Sequence, residues 1–164
     1  MNDLRYFFLL PTGAAFLIAS LSSCSSRFVT VPLHKIDADR KKVATDFVSK
    51  YLQKCVDKDY SNFENFNISA RFKSKIVPDS LKKSCEIIER NYGSVKVEKL
   101  YSVHSRQRPK DFVDVFNFKI STEKNPKIQF LHLGMYRDQN YLELPFYFNN
   151  EENYLNYRKK KFKK

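Results

Sequence analysis

One pair of side chains that could carry acid–base chemistry in this 164-residue chain, an aspartate and one of the three histidines, falls in neighbouring strand-like segments. Asp114 and His132 each alternate with phenylalanines of their own segment. A shared inward face would make them an acid–base pair, with Tyr101 as a third member. The same pattern also fits a buried Asp–His pair that only stabilises the core. The three histidines, at positions 34, 104 and 132, fit no metal-binding motif.

Signatures of other catalytic chemistry are missing from the sequence. There is no Gly-x-Ser-x-Gly nucleophile elbow, and three scattered glycines are too few for a phosphate-binding loop. A Ser-x-x-Lys motif begins at Ser80, but the partner motifs that accompany it in penicillin-binding enzymes are missing from the sequence. We therefore expect no metal or cofactor, and a binding function is favoured over an enzymatic one.

The N-terminal segment is an apolar run of about 16 residues, shorter than the roughly 20 that span a bilayer. It ends in Leu21-Ser22-Ser23-Cys24, which resembles the lipobox of bacterial lipoproteins. The resemblance implies a signal peptide over residues 1–23 and a lipid on Cys24, with the domain exported to the cell envelope. Ser25 at the next position favours the outer membrane if the source has two membranes. An uncleaved membrane helix and an ordinary signal peptide remain as alternatives.

Two further cysteines, Cys55 and Cys85, would lie in an oxidising compartment if the chain is exported. A bond between them would close a loop of about 30 residues and stabilise the fold by roughly 3–4 kcal/mol. Two buried thiols on helix faces are the alternative, because free cysteine packs like a small apolar side chain.

The formal net charge is +12, and part of it is concentrated near the C-terminus. Such a charge attracts anionic partners. Six basic residues there could bind anionic headgroups or a cell-wall polymer; they are Arg158, Lys159, Lys160, Lys161, Lys163 and Lys164. A solvated, frayed end is the alternative. Export argues against a nucleic-acid partner.

Periodicity predicts helices first and strands afterwards. Apolar residues recur at helical spacing over residues 36–58 and 81–92, with Asp37 capping the first helix and Asp79 or Ser80 the second. Short helical turns are expected between them. From residue 95 the period changes to two, which predicts strands over 95–104, 112–121, 127–136 and 141–148. The fold class is therefore α+β, with helices packed on a curved four-stranded antiparallel sheet.

This element order is similar to that of cystatin-like domains related to nuclear transport factor two. The local sequence similarities are Lys58-Asp59-Tyr60 after the first helix and Gly93-Ser94-Val95 at the start of the sheet. The resemblance implies a cone-shaped domain over residues 36–148, between a tether (24–35) and a basic tail (149–164). It leaves three hypotheses: a non-enzymatic module that binds a protein or small ligand, a basic surface scaffold or adhesin, and a small pocket enzyme.

Overall fold

A computed structural model of the protein describes residues 28–106, 113–137 and 140–153, and these form an α+β fold. In these ranges three helices precede four of the five strands of one open antiparallel sheet, whose strands follow each other in chain order. In chain order the elements are β1 (Phe28–Val31), α1 (Ala38–Asp57), α2 (Ala70–Lys73), α3 (Pro78–Tyr92), β2 (Val95–Arg106), β3 (Val113–Thr122), β4 (Phe130–Tyr136) and β5 (Leu142–Asn149).

The predicted α+β class and the antiparallel sheet are confirmed, but the count of four strands is wrong. The additional strand is β1, which lies in the predicted tether and pairs with β2 from Phe28 opposite Arg106 to Val31 opposite Val103. A run of only four residues cannot be distinguished from an extended tether by its sequence pattern. The folded domain therefore begins before residue 36.

Helix α1 forms where its periodicity places it. The carboxylate of Asp37 accepts hydrogen bonds from the backbone N–H groups of Asp39 and Arg40, as predicted, and satisfies donors that the first turn leaves free. For α3 the predicted caps are wrong, because the helix already begins at Pro78 with Val77 as its N-cap residue. Proline suits the first helical position, where no intrahelical N–H bond is lost.

Phenylalanine rings fill the space between the helices and the sheet. The ring of Phe47 in α1 lies 5.0 Å from that of Phe63, 5.6 Å from that of Phe72 and 6.0 Å from that of Phe146. Phe116 and Phe118 of β3 are fully buried against the same cluster. These close ring contacts fill the interior between the helices and the sheet.

The register of β3 and β4 defines two faces of the sheet. Phe118 lies opposite Leu131, whereas Asn117 lies opposite His132. Residues directly opposite each other in an antiparallel pair point to the same side. Even-numbered positions of β3 therefore share the helix face with odd-numbered positions of β4, and the remaining positions form the outer face.

A disulfide joins the helix layer. The sulfur atoms of Cys55 in α1 and Cys85 in α3 are bonded at 2.03 Å, so the structure has the disulfide rather than two separate buried thiols. Their separation of 30 positions closes a loop whose constraint of the unfolded chain stabilises the fold.

Candidate functional site

The structure places His132 and Asp114 on opposite faces of the sheet. His132 is opposite Asn117 on the outer face, and Asp114 shares the helix face with Phe116. The shared inward face considered from the sequence does not form, because an even position of β3 pairs with an odd position of β4. Tyr101 is 44% exposed and contacts the ring of Phe130 at 5.6 Å, so it does not join Asp114 either.

On the outer face, Asn117 is the centre of a buried polar cluster. Its Oδ1 lies 2.7 Å from Nδ1 of His132, and its Nδ2 donates to Oγ of Ser102 at 3.0 Å. The same Nδ2 lies 3.3 Å from Nδ1 of His104. We call these four side chains the outer-face network. All four are buried, and His132 and Asn117 have no exposed surface.

Residues 151–153, the crossing segment, extend from the end of β5 back over this network. Oε1 of Glu152 accepts a hydrogen bond from Oγ of Ser102 at 2.7 Å and lies 3.5 Å from Nε2 of His104. The backbone of Glu151 forms a hydrogen bond with His132. These contacts span from β4 to β2. Contacts with the sheet therefore continue beyond residue 148, at least to Glu152.

The two histidines of the network are held neutral at neutral pH. The pKa of His132 is lowered to about 4, mainly by burial and to a smaller extent by the nearby His104, while the hydrogen bond with the backbone of Glu151 raises it. Burial also lowers the pKa of His104, while Glu152 raises it. Because His132 has no exposed surface, it cannot contact a substrate in this conformation.

On the helix face, the buried carboxylate of Asp114 lies between two arginines. Nη1 of Arg40 donates to it at 2.9 Å and Nη2 of Arg137 at 2.9 Å. Nη2 of Arg137 also donates to the hydroxyl of Ser105. Burial alone would raise the pKa of the Asp114 carboxyl, but hydrogen bonds from the arginines and the serine outweigh it and hold the pKa below its usual value.

Beside this ion cluster lies an open cavity of about 460 Å³. Apolar side chains of β1 form part of its wall, and the exposed guanidinium of Arg137 lies at its margin. Three basic residues outnumber two acidic ones in its lining; the charged residues are Lys35, Arg40, Arg137, Asp37 and Asp114. The cavity therefore suits a small ligand with an anionic group and an apolar part.

A second, largely apolar cavity of about 250 Å³ lies beside the disulfide. Its wall includes Leu52, Cys55, Ile88 and Val95, and the exposed Val56 stands at its margin. The two cysteines in its wall are bonded to each other, and Lys58 and Glu89 are the charged residues of its lining.

Sequence reasoning missed both arginines and the crossing segment. Arg40 had a readable signal, because it lies four positions before Ala44 on the apolar face of α1 and a charged residue there needs a buried partner. Arg137 and Glu152 are in polar stretches with no such signal. Cys24 and the six basic residues of the tail lie outside the described residues.

Within the described ranges, no three His, Cys, Asp or Glu side chains come together as metal ligands. In the same ranges no helix combines the length and the apolar character needed to cross a bilayer. Comparison of the chain with family models, curated proteins and solved structures returns no match. The function has to be inferred from the residues themselves.

Proposed function

We propose that the chain is an exported lipoprotein of the bacterial cell envelope, anchored through Cys24, and that its domain is a non-enzymatic binding module. The observation that carries the proposal is which cysteines are paired. Cys55 and Cys85 are bonded to each other, which leaves Cys24 as the one cysteine outside the pair. Structural disulfides are typical of oxidising compartments, so the bond supports export.

Binding is favoured over catalysis by the arrangement of the polar groups. An enzyme that uses His132 and Asp114 would need them in one cavity, and the sheet separates them. Phenylalanines fill the interior between the helices and the sheet, and the cavity beside Arg137 is the one whose lining has more basic than acidic residues and an apolar wall from β1. Within this proposal the domain is of the cystatin-like, cone-shaped type, which the packing of helices on one face of an antiparallel sheet supports.

The anchor is tested by expressing the chain in a bacterial host with radiolabelled palmitate. We expect the wild type and the matched control Ser25→Ala to incorporate label and to sediment with membranes. Cys24→Ala should do neither. Equal labelling of Cys24→Ala and wild type would refute the lipidated cysteine. In a double-membraned host, separation of the membranes should place the protein in the outer one.

The binding site is tested with two simple anions, inorganic phosphate and acetate. We expect a concentration-dependent rise in the Tm of the protein that Lys35→Ala reduces, because Lys35 lines the cavity. Lys127→Ala, which removes an exposed charge from the turn between β3 and β4, is the matched control. Equal shifts in the two variants, or no shift in the wild type, would remove the cavity as an anion site.

A net charge of +12 supports a second candidate, a basic envelope scaffold. The tail is the main feature that favours it, since six of its last seven residues are basic. A scaffold would lose its attachment to anionic surfaces when residues 158–164 are deleted, and it would leave the cavity beside Arg137 without a role.

A further inference from the structure

We infer that the ligand of the cavity beside Arg137 is an extended peptide segment, which adds a strand to the outer edge of β1 and has an acidic and an apolar side chain two positions apart. The inference rests on the proposed binding site and names the class of its ligand. Two features carry it together: the backbone edge of β1 and the charges in the cavity that the side chains of β1 line.

The outer edge of β1 offers backbone groups to another strand. β1 is the first strand of the sheet, and β2 is its neighbour on one side. In an antiparallel pair, alternate residues direct their N–H and C=O groups away from the partner strand. Two of the four residues of β1 therefore direct these groups outward, and no backbone group of another described segment bonds to them. Unpaired groups of this kind are a template for a further strand.

The opposite edge of the sheet is less suited to an added strand. The N–H of Leu142 in β5 donates to the carbonyl of Asn67, and the carbonyl of Leu142 accepts from the N–H of Ser69. Pro145, within β5, has no N–H to donate to a neighbouring strand. β1 contains no proline. An extended ligand is therefore expected at β1.

The side chains of β1 show which positions of an added strand would face the cavity. Val29 and Val31 line the cavity, and Val29 lies opposite Ser105, which in turn lies opposite Asp114. A strand added beside β1 would continue this row of side chains at a spacing of about 4.8 Å. Its alternate residues, about 7 Å apart, would face the cavity, and the residues between them would face away. The cavity therefore selects two ligand side chains at positions i and i+2.

The charges in the cavity favour an acidic side chain at one of these two positions. The two arginines of the lining both pair with Asp114, and the carboxylate of Asp37 caps α1. Lys35 is exposed, and its ammonium group forms no ion pair with a described residue. A carboxylate of the ligand would compensate this charge, and an apolar side chain would cover Val29, which is 42% exposed.

A second copy of this chain is a poorer occupant of the edge than an acidic segment of another protein. Each copy has a net charge of +12, so two copies repel each other. Pairing of β1 with β1 of a second copy would also supply no carboxylate to Lys35, because the strand sequence is Phe28-Val29-Thr30-Val31. The acidic side chain is therefore expected from a different chain.

The test uses pentapeptides with blocked ends, titrated into the full-length protein in detergent micelles and followed by NMR. Thr-Glu-Thr-Val-Thr and its reverse place Glu and Val on one face of a strand, whereas Thr-Glu-Val-Thr-Thr has the same composition and places them on opposite faces. We expect one of the two alternating peptides to bind at least about fivefold more tightly than the third peptide. Methylation of its backbone nitrogens should weaken binding roughly tenfold, because hydrogen bonds to β1 are lost.

Variants of β1 and Lys35 test the position of the peptide. Val29→Asp should weaken binding of the alternating peptide, because the new carboxylate faces that of the ligand. Thr30→Asp is the matched control, since it introduces the same charge at the neighbouring exposed position, whose side chain points to the opposite face. Lys35→Ala should weaken binding of the Glu peptide roughly threefold and leave that of the corresponding Gln peptide unchanged.

Three results would overturn the inference while the Tm response to acetate or phosphate stands. They are equal binding of the alternating peptides and the third peptide, equal effects of Val29→Asp and Thr30→Asp, and tight binding of the methylated peptide. A dimer in analytical ultracentrifugation that Val29→Asp dissociates would assign the edge to a second copy and would overturn it as well. Absence of any Tm response to acetate and phosphate refutes the proposed binding site instead.

Discussion

The two faces of the sheet both bury polar side chains, but they satisfy them in different ways. On the helix face, Asp114 keeps its charge between Arg40 and Arg137. On the outer face, Asn117 and His132 are equally buried, and the imidazole is held neutral. Buried charge requires an opposite charge at hydrogen-bond distance, whereas neutral groups need only hydrogen bonds. The difference predicts that the two faces respond to different perturbations.

The largest expected effect comes from removing the charge on the helix face. Asp114→Asn leaves the buried guanidinium of Arg40 without its counter-ion, with the carbonyl of Tyr136 at 3.4 Å as a remaining contact. Breaking a buried ion pair from one side costs about 3–5 kcal/mol. Urea unfolding should show this loss in the free energy of unfolding. Asp46→Asn, an exposed carboxylate in α1, is the control, and similar losses in both variants would contradict the buried role.

Acid should destabilise the outer face before the helix face. The pKa of His132 is about 4 in the folded state against an ordinary value of 6.5, so the unfolded chain binds this proton more readily. The stabilisation is complete above pH 6.5 and falls as pH drops from 6.5 to 4, by about 3 kcal/mol for this one group. Asp114, whose pKa is below its usual value, loses its contribution only below pH 3.8.

Urea unfolding across this pH range measures the effect. His132→Gln removes the titrating group while keeping a polar side chain opposite Asn117, so the free energy of unfolding should fall less between pH 6.5 and 4. His34→Gln, which replaces an exposed histidine before α1, is the matched control. An identical profile for His132→Gln and wild type would show that His132 is not the group responsible.

A smaller decrease in the free energy of unfolding is expected from removing the central side chain of the outer-face network. Asn117→Ala takes away the partner of Nδ1 of His132 and the donor to Ser102. A buried polar group left unsatisfied costs about 1–3 kcal/mol, less than an uncompensated charge. Thermal and urea unfolding at neutral pH provide the measurement, with the exposed Asn62→Ala as control. A loss as large as that of Asp114→Asn would remove the distinction between the two faces.

The sequence predicted what depends on local pattern. The spacing of Ala44, Phe47 and Val48 identified α1, and alternation after residue 95 identified the strands, because burial of one face imposes a period on each element. The pairing register between neighbouring strands could not be predicted from such a local pattern. Alternation tells which residues of one strand share a side, but a register shift of one residue reverses the side for the whole strand. Alternation therefore left a shared face for Asp114 and His132 open, and only the register of β3 and β4 places them on opposite faces.

The contacts of the crossing segment could not be predicted from the sequence for a different reason. Residues 151–153 are polar, and a polar stretch after the last strand is typical of a solvated end. Their position depends on Ser102 and His104, which lie about 50 positions earlier in the chain. No local pattern contains information about contacts at such a separation. The same reason explains why the sequence did not predict the contact of Arg137 with Asp114.

The smallest expected effect is the energetic coupling between the two faces themselves. Asp114 and His132 lie on opposite sides of the sheet and share no hydrogen-bond partner among those described. A double-mutant cycle of Asp114→Asn and His132→Gln should therefore give a coupling below about 0.5 kcal/mol. The cycle of Asp114→Asn with Arg137→Gln should exceed that limit, because these side chains are in contact. Strong coupling between Asp114 and His132 would mean that they act as one unit, as an acid–base pair would, and the separation of the faces would have to be abandoned.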